Sequence, residues 1–246
     1  MRGLSFSCCF FYRRGAESAE ERREVLCGPL RSLRRCSKKS NWKSFRLTKL
    51  LTYNFKPIAL QQLLSHIKNF YHLTPEAQTA LQDCFREVVL AKNEHLLTEG
   101  QTCRHLYFVE RGSLRGYYTL DGKEITHWFG FENDFVTSFH SFITVEPAVE
   151  NIQLLEGSIL WSISKENLTD LLNRYHEIER VLRIAYEKYY IRLEERFVNA
   201  QFKTAAERYE QLIQQMPHIP DRVPLGQVAS YLGISQETLS RIRGRF

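Results

Sequence analysis

No stretch of this sequence approaches the roughly 18 consecutive apolar residues that a membrane helix needs. Cysteine is sparse, 6 in 246 residues, which excludes a disulfide scaffold. Methionine is sparser still: Met1 and Met216 are the two. The HExxH, GxSxG and P-loop patterns are missing. Histidines are scattered, at His66, His72, His95, His105, His127, His140, His176 and His218. His127 and His140 fall in the strand-rich middle, where a lone histidine is more often packed or solvated than a ligand. The chain therefore reads as a non-enzyme, with no catalytic residue, no metal site and no cofactor expected. What it does have is 16 Phe, 12 Tyr, 3 Trp and a charged fraction of 25%, a composition that builds a core. The length suits one or two domains without covalent staples.

Charge divides the chain. Residues 1–56 carry 14 Lys and Arg against 4 Glu, a net of +10, and the other 190 carry 20 against 24 acidic residues, a net of −4. The basic pI thus belongs to the N-terminal segment. A signal peptide is a poor fit there: Phe6–Tyr12 is short, contains Ser7, and meets no small-residue cleavage site before Arg13. We read 1–56 as a disordered or spuriously translated basic tail, with a nucleic-acid-touching arm as the alternative.

From Pro57 the texture changes. Leu60, Leu63, Leu64, Ile67 and Phe70 follow a helical period. Thr74-Pro75 starts a second helix, on which Ala77, Leu81, Cys84, Phe85 and Val88 form the expected buried stripe. After Asn93 short strands are expected at His95–Thr98, Leu106–Glu110, Leu114–Leu120, Glu124–Phe131, Phe135–Thr137, Asn151–Leu155 and Ser158–Ser164. Asp121-Gly122 is a strong two-residue hairpin signal. Many short strands at this spacing point to an antiparallel barrel or jelly roll.

Ser164-Lys165-Glu166 opens a helical region. Ile178, Val181, Leu182, Ala185, Tyr189, Leu193 and Phe197 then give one long stripe, which must be buried on the chain's own roll or on a second copy. The segment Leu225–Ile242 reads as helix-turn-helix. Val228, Leu232, Ile234, Leu239 and Ile242 lock two short helices, Ala229 is small at the crossing, Gly233 suits a positive φ, and Ser235 can cap the second helix. That second helix exposes residue types able to reach bases and phosphates. The expected DNA-binding residues are Ser235, Gln236, Glu237, Thr238, Ser240, Arg241 and Arg243.

Strand roll, long helix and helix-turn-helix in this order resemble the Crp/Fnr transcription regulators over about residues 57–246. The resemblance is carried by Leu97-Thr98-Glu99-Gly100, by Leu106 through Arg115, by Asp121-Gly122-Lys123-Glu124, by Phe131 through Phe135, and most specifically by Ala229 through Ile242. It implies an α+β chain: a cyclic-nucleotide-binding-like, jelly-roll-like antiparallel β-roll over 57–164, a dimerisation helix region over 165–200, and a DNA-binding domain over 201–246. In the family's Arg-Glu-Thr-x-x-Arg segment, Glu237 and Arg241 match and Gln236 replaces the first Arg. The family's wing is expected to be missing. Cys8, Cys9, Cys27 and Cys36 lack the compact spacing of an iron–sulfur site.

The resemblance also places an effector pocket. Thr137-Ser138 falls where the family has Gly-Glu, and Ala148-Val149 where it has the phosphate-pairing Arg and its neighbour. No Lys or Arg occurs from Ile125 to Ile163, and Glu146 and Glu150 flank the empty Arg position. Cyclic AMP is therefore not expected as the ligand. Phe129 and Phe139, with Thr137, Ser138, Ala148 and Val149, are the candidate pocket residues. The expectation is a cytoplasmic homodimeric regulator of a palindromic operator in double-stranded DNA, with RNA polymerase and an unidentified small-molecule effector as further partners and no membrane contact. The alternative is a regulator-fold sensor or scaffold that binds a small ligand but not DNA.

Overall fold

Thr74 and Ser164 each start a helix in the way their side chains allow. The Thr74 hydroxyl accepts from the Ala77 N–H ahead of α2 (Pro75–Cys84), and Ser164 accepts from the Asn167 N–H ahead of α4 (Lys165–Arg174). The computed structural model describes residues 60–244. The expectation for residues 1–56, and the start proposed at Pro57, lie outside the described residues.

Helix α1 (Gln61–Lys68) and α2 precede eight strands: β1 (Arg86–Leu90), β2 (His95–Leu97), β3 (His105–Arg111), β4 (Leu114–Leu120), β5 (Lys123–Gly130), β6 (Phe135–Val136), β7 (Asn151–Leu154) and β8 (Ser158–Ser164). They form two antiparallel four-stranded sheets, ordered β1-β8-β3-β6 and β2-β7-β4-β5. A short helix α3 (Phe139–Thr144) lies between β6 and β7. Between the sheets sit Leu97, Val109, Leu114, Ile152, Leu154 and Leu160, all buried. Asp121 and Gly122 turn β4 into β5 with φ of 51° and 74°, the two positive values a type I′ hairpin requires. The α+β expectation holds, and so do the strand positions to within a residue or two.

The sequence reading errs at two places. The expected stripe through Phe85 and Val88 is not helical: α2 ends at Cys84, Phe85 is extended, and Val88 pairs with Leu160 as part of β1. The β-branched pair Val88-Val89 favours a strand once β8 offers a partner edge. Helix α3 was not expected at all.

Five helices follow α4 among the described residues. The 27-residue α5 (His176–Phe202) packs Ile178 and Val181 into the core formed by α1, α2 and β3. From Tyr190 to its end it leaves Tyr190, Ile191, Leu193, Phe197, Val198 and Phe202 exposed. Then come α6 (Ala205–Gln215), α7 (Ile219–Arg222), α8 (Leu225–Leu232) and α9 (Gln236–Arg243). Thr204 and Glu207 form a capping box at the start of α6, in the Thr-x-x-Glu spacing that such a box requires. Among the described residues no helix is long and apolar enough to cross a membrane.

Candidate functional site

The C-terminal two-helix unit is built from short-range chemistry. Gly233 ends α8 with φ 68°, a conformation that a side chain would strain. Ser235 then caps α9, its hydroxyl accepting from the Thr238 N–H at 3.2 Å. Val228, Ala229, Leu232, Leu239 and Ile242 are buried between the helices and their neighbours, and Ile234 is partly buried. Arg208 donates to the Leu232 carbonyl at 2.9 Å, satisfying one end of α8.

This leaves the other face of α9 open. Ser235, Gln236, Glu237, Ser240, Arg241 and Arg243 are exposed, and Thr238 is half-buried. Arg241 donates to the Thr238 hydroxyl at 3.3 Å. The hydrogen bond from Ser235 comes first, and the Arg241 charge also contributes, in holding the Glu237 carboxyl below its usual range. All seven expected DNA-binding positions thus share one short helix and its cap.

The unit is docked on the roll. Helix α8 lies along β5. The Ser230 hydroxyl accepts from the Thr126 N–H at 3.0 Å and donates to the Glu124 carbonyl at 2.9 Å. Phe129 packs on Tyr231, with ring centroids 5.2 Å apart. Phe129, Phe131 and Leu155 of the roll join one buried cluster with Val228, Leu232 and Leu239.

The expected effector residues separate into two groups. Thr137, Ser138 and Ala148 are buried, whereas Val149 is 56% exposed. Phe129, Thr137 and Phe139 line a cleft of about 150 Å³ between β5, β6, α5 and Tyr231, and Ser138, Ala148 and Val149 stand apart from it. Trp128, which the sequence reading passed over, packs across Gly116, where a Cβ would overlap its indole. Its Nε1 donates to Glu150 at 3.0 Å, and His127 Nε2 lies 2.6 Å from the same carboxylate oxygen. Burial works against the charged form of Glu150, but the contacts from His127, Ser138 and Trp128 prevail and hold its carboxyl below the usual range. A buried carboxylate therefore sits one residue from Val149. The buried guanidinium of Arg115 is committed elsewhere, to Gln153 at 2.7 Å, to Glu124, and over the Tyr117 ring. His140 is exposed beside Glu146.

Residues 87–175 match the family described as the cyclic nucleotide-binding domain. Solved structures share the wider architecture. FixK2 from Bradyrhizobium japonicum is 19% identical with a TM-score of 0.57, covering 65% of this chain and 83% of its own. CLP from Xanthomonas campestris, described as a c-di-GMP-responsive global regulator, is 17% identical with a TM-score of 0.56, covering 70% of this chain and 91% of its own. CooA from Carboxydothermus hydrogenoformans, solved as a mutant, is 19% identical with a TM-score of 0.55, covering 74% of this chain and 83% of its own. No curated protein matches the sequence. The chain thus carries a β-roll of the cyclic-nucleotide-binding type. Its fold, from the roll into the helices beyond, is similar to that of FixK2, CLP and CooA.

Proposed function

We propose that this chain is a DNA-binding transcriptional regulator that grips a palindromic operator as a homodimer. The observation that carries the reading is α9. Its cap and its buried face fix the helix, and Gln236, Glu237, Ser240, Arg241 and Arg243 are left exposed together. A helix-turn-helix needs these properties in its recognition helix. Arg241 is suited to guanine, Gln236 to adenine and Glu237 to cytosine. The exposed row Tyr190, Ile191, Phe197, Val198 and Phe202 on α5 supports self-association, because an isolated helix face this apolar is poorly accommodated by water. A two-fold dimer then presents two α9 helices to half-sites about one helical turn apart.

The roll serves as an effector domain that excludes cyclic AMP. Supporting this are Glu150 beside the position where a phosphate-pairing cation is needed, and the commitment of Arg115 to Glu124 and Gln153. Such a regulator works in the cytoplasm alongside RNA polymerase. Selection of bound duplexes from a random pool by the purified full chain, with its mass in solution, tests the reading. The expected result is a palindromic consensus bound by a dimer; a monomer that selects no sequence would overturn it in favour of a ligand-binding scaffold.

A further inference from the structure

We propose that the cleft between the roll and α5 is a binding site for a single-ring aromatic carboxylate. The proposal rests on reading the roll as an effector domain and is independent of whether α9 reads DNA. Size is the first argument. The cleft measures about 150 Å³, and an apolar cavity of that volume accommodates a ring the size of benzene. Its walls are aromatic: Phe135 and Phe139 come from the roll side and Tyr189 from α5, with the Phe139 and Tyr189 centroids 4.0 Å apart. Offset and edge-on packing against such walls favours a flat aromatic guest.

Charge is the second argument. Lys188, Arg192 and Arg196 all line the cleft from α5. Spaced four residues apart, they share one helix face over about 12 Å. Arg192 is neutralised by Asp134 at 2.8 Å. The other two face aromatic rings instead: Lys188 Nζ lies 4.4 Å from the Phe70 centroid, and the Arg196 guanidinium 4.5 Å from that of Tyr231. Among the described residues neither has a carboxylate partner. Burial works against the charged form of Arg196, lowering its pKa, with the surrounding tyrosines only partly offsetting it. A guanidinium that has given up water without gaining an anion is a receptor for one. A carboxylate meets it in the bidentate geometry that planar guanidinium prefers, through charge-assisted hydrogen bonds.

Ring and charge thus converge on one guest. A neutral ring would leave Arg196 unanswered. Because Arg196 rests on Tyr231 of α8, a carboxylate drawing on that guanidinium touches the contact between α5 and the C-terminal unit.

The test is calorimetric titration of the full chain with benzoate, with benzamide as its neutral isostere and with cyclic AMP. Benzoate should bind, and benzamide about tenfold more weakly or worse, the loss expected when a charge-assisted pair is replaced by a neutral one. Arg196→Gln should weaken benzoate by a similar factor and leave benzamide unchanged, and Arg196→Lys should recover part of the loss. If Arg196→Gln fails to fold, Lys188→Gln and the benzamide comparison still decide. No benzoate binding at millimolar concentration, equal affinity for benzamide, or displacement of benzoate by cyclic AMP would overturn the proposal. Operator binding measured on the same preparation separates the outcomes. A chain that selects DNA but ignores benzoate loses only this inference, and a chain that binds benzoate but selects no DNA loses only the regulator reading.

Discussion

Arg222 and Glu132 form a two-pronged ion pair: Nη1 reaches Oε2 and Nη2 reaches Oε1, each at 2.8 Å. The pair joins α7 to the turn between β5 and β6. Glu156 accepts from Arg222 Nε at 3.1 Å and from the Ser113 hydroxyl at 2.6 Å, which closes the network. Burial disfavours charge on Glu132, yet Arg222 and the Gly112 N–H outweigh it and hold its carboxyl at about 2, against an ordinary 4.5. A carboxylate depressed in the folded state stabilises that state above its unfolded pKa, and the contribution fades as pH falls through the folded value. The melting temperature should therefore drop between about pH 4.5 and pH 2, and the drop should be shallower in Glu132→Gln. Calorimetry across that window reads both. Arg222→Gln should cost about 1–3 kcal/mol at neutral pH, as two partly buried carboxylates lose their cation.

Arg241→Ala should weaken operator binding by about 1–3 kcal/mol and relax the preference at one base pair. Fluorescence anisotropy on the selected duplex and on single-base variants would measure it. A uniform loss across all sequences would instead assign Arg241 to a phosphate.

Ile191→Glu combined with Phe197→Glu should dissociate the dimer without unfolding the roll. Both side chains are more than half exposed in the single chain, so the fold has little to lose, whereas two charges in an apolar interface are costly. Sedimentation and circular dichroism together would show monomer with native signal.

Cyclic AMP and cyclic GMP should give no heat on titration, since the Glu150 carboxylate stands beside the position where a phosphate-pairing cation is needed. Gly116→Val should destabilise the roll by about 1–3 kcal/mol or more, because the added methyl groups collide with Trp128. Thermal denaturation checks the second claim.

What the sequence disclosed was local. Thr74, Ser164, Asp121-Gly122, Gly233 and Ser235 each act through bonds spanning a few residues, and each stands where its chemistry requires. Helix α3 escaped because six residues carry no period, and β1 because Phe85 and Val88 also fit a continuing helix. The cleft was legible only in part. The interval Ile125–Ile163 carries no Lys or Arg, yet the fold brings Lys188, Arg192 and Arg196 to the cleft that Phe129, Thr137 and Phe139 line, from a helix well beyond that interval. Ser230 with Thr126, and Arg222 with Glu132, are pairings across 104 and 90 residues. No spacing rule anticipates them.

Strand β5 is an outermost strand of its sheet, and outermost strands present unpaired backbone groups to any passing chain. Here the Ser230 hydroxyl occupies the Thr126 N–H and the Glu124 carbonyl as a neighbouring strand would. Helix α8 is in this sense a lid on a sticky margin as well as half of the proposed DNA reader. Any change that lifted α8 from the roll would bare that margin, and a form with α8 lifted would be the one prone to stack strand upon strand.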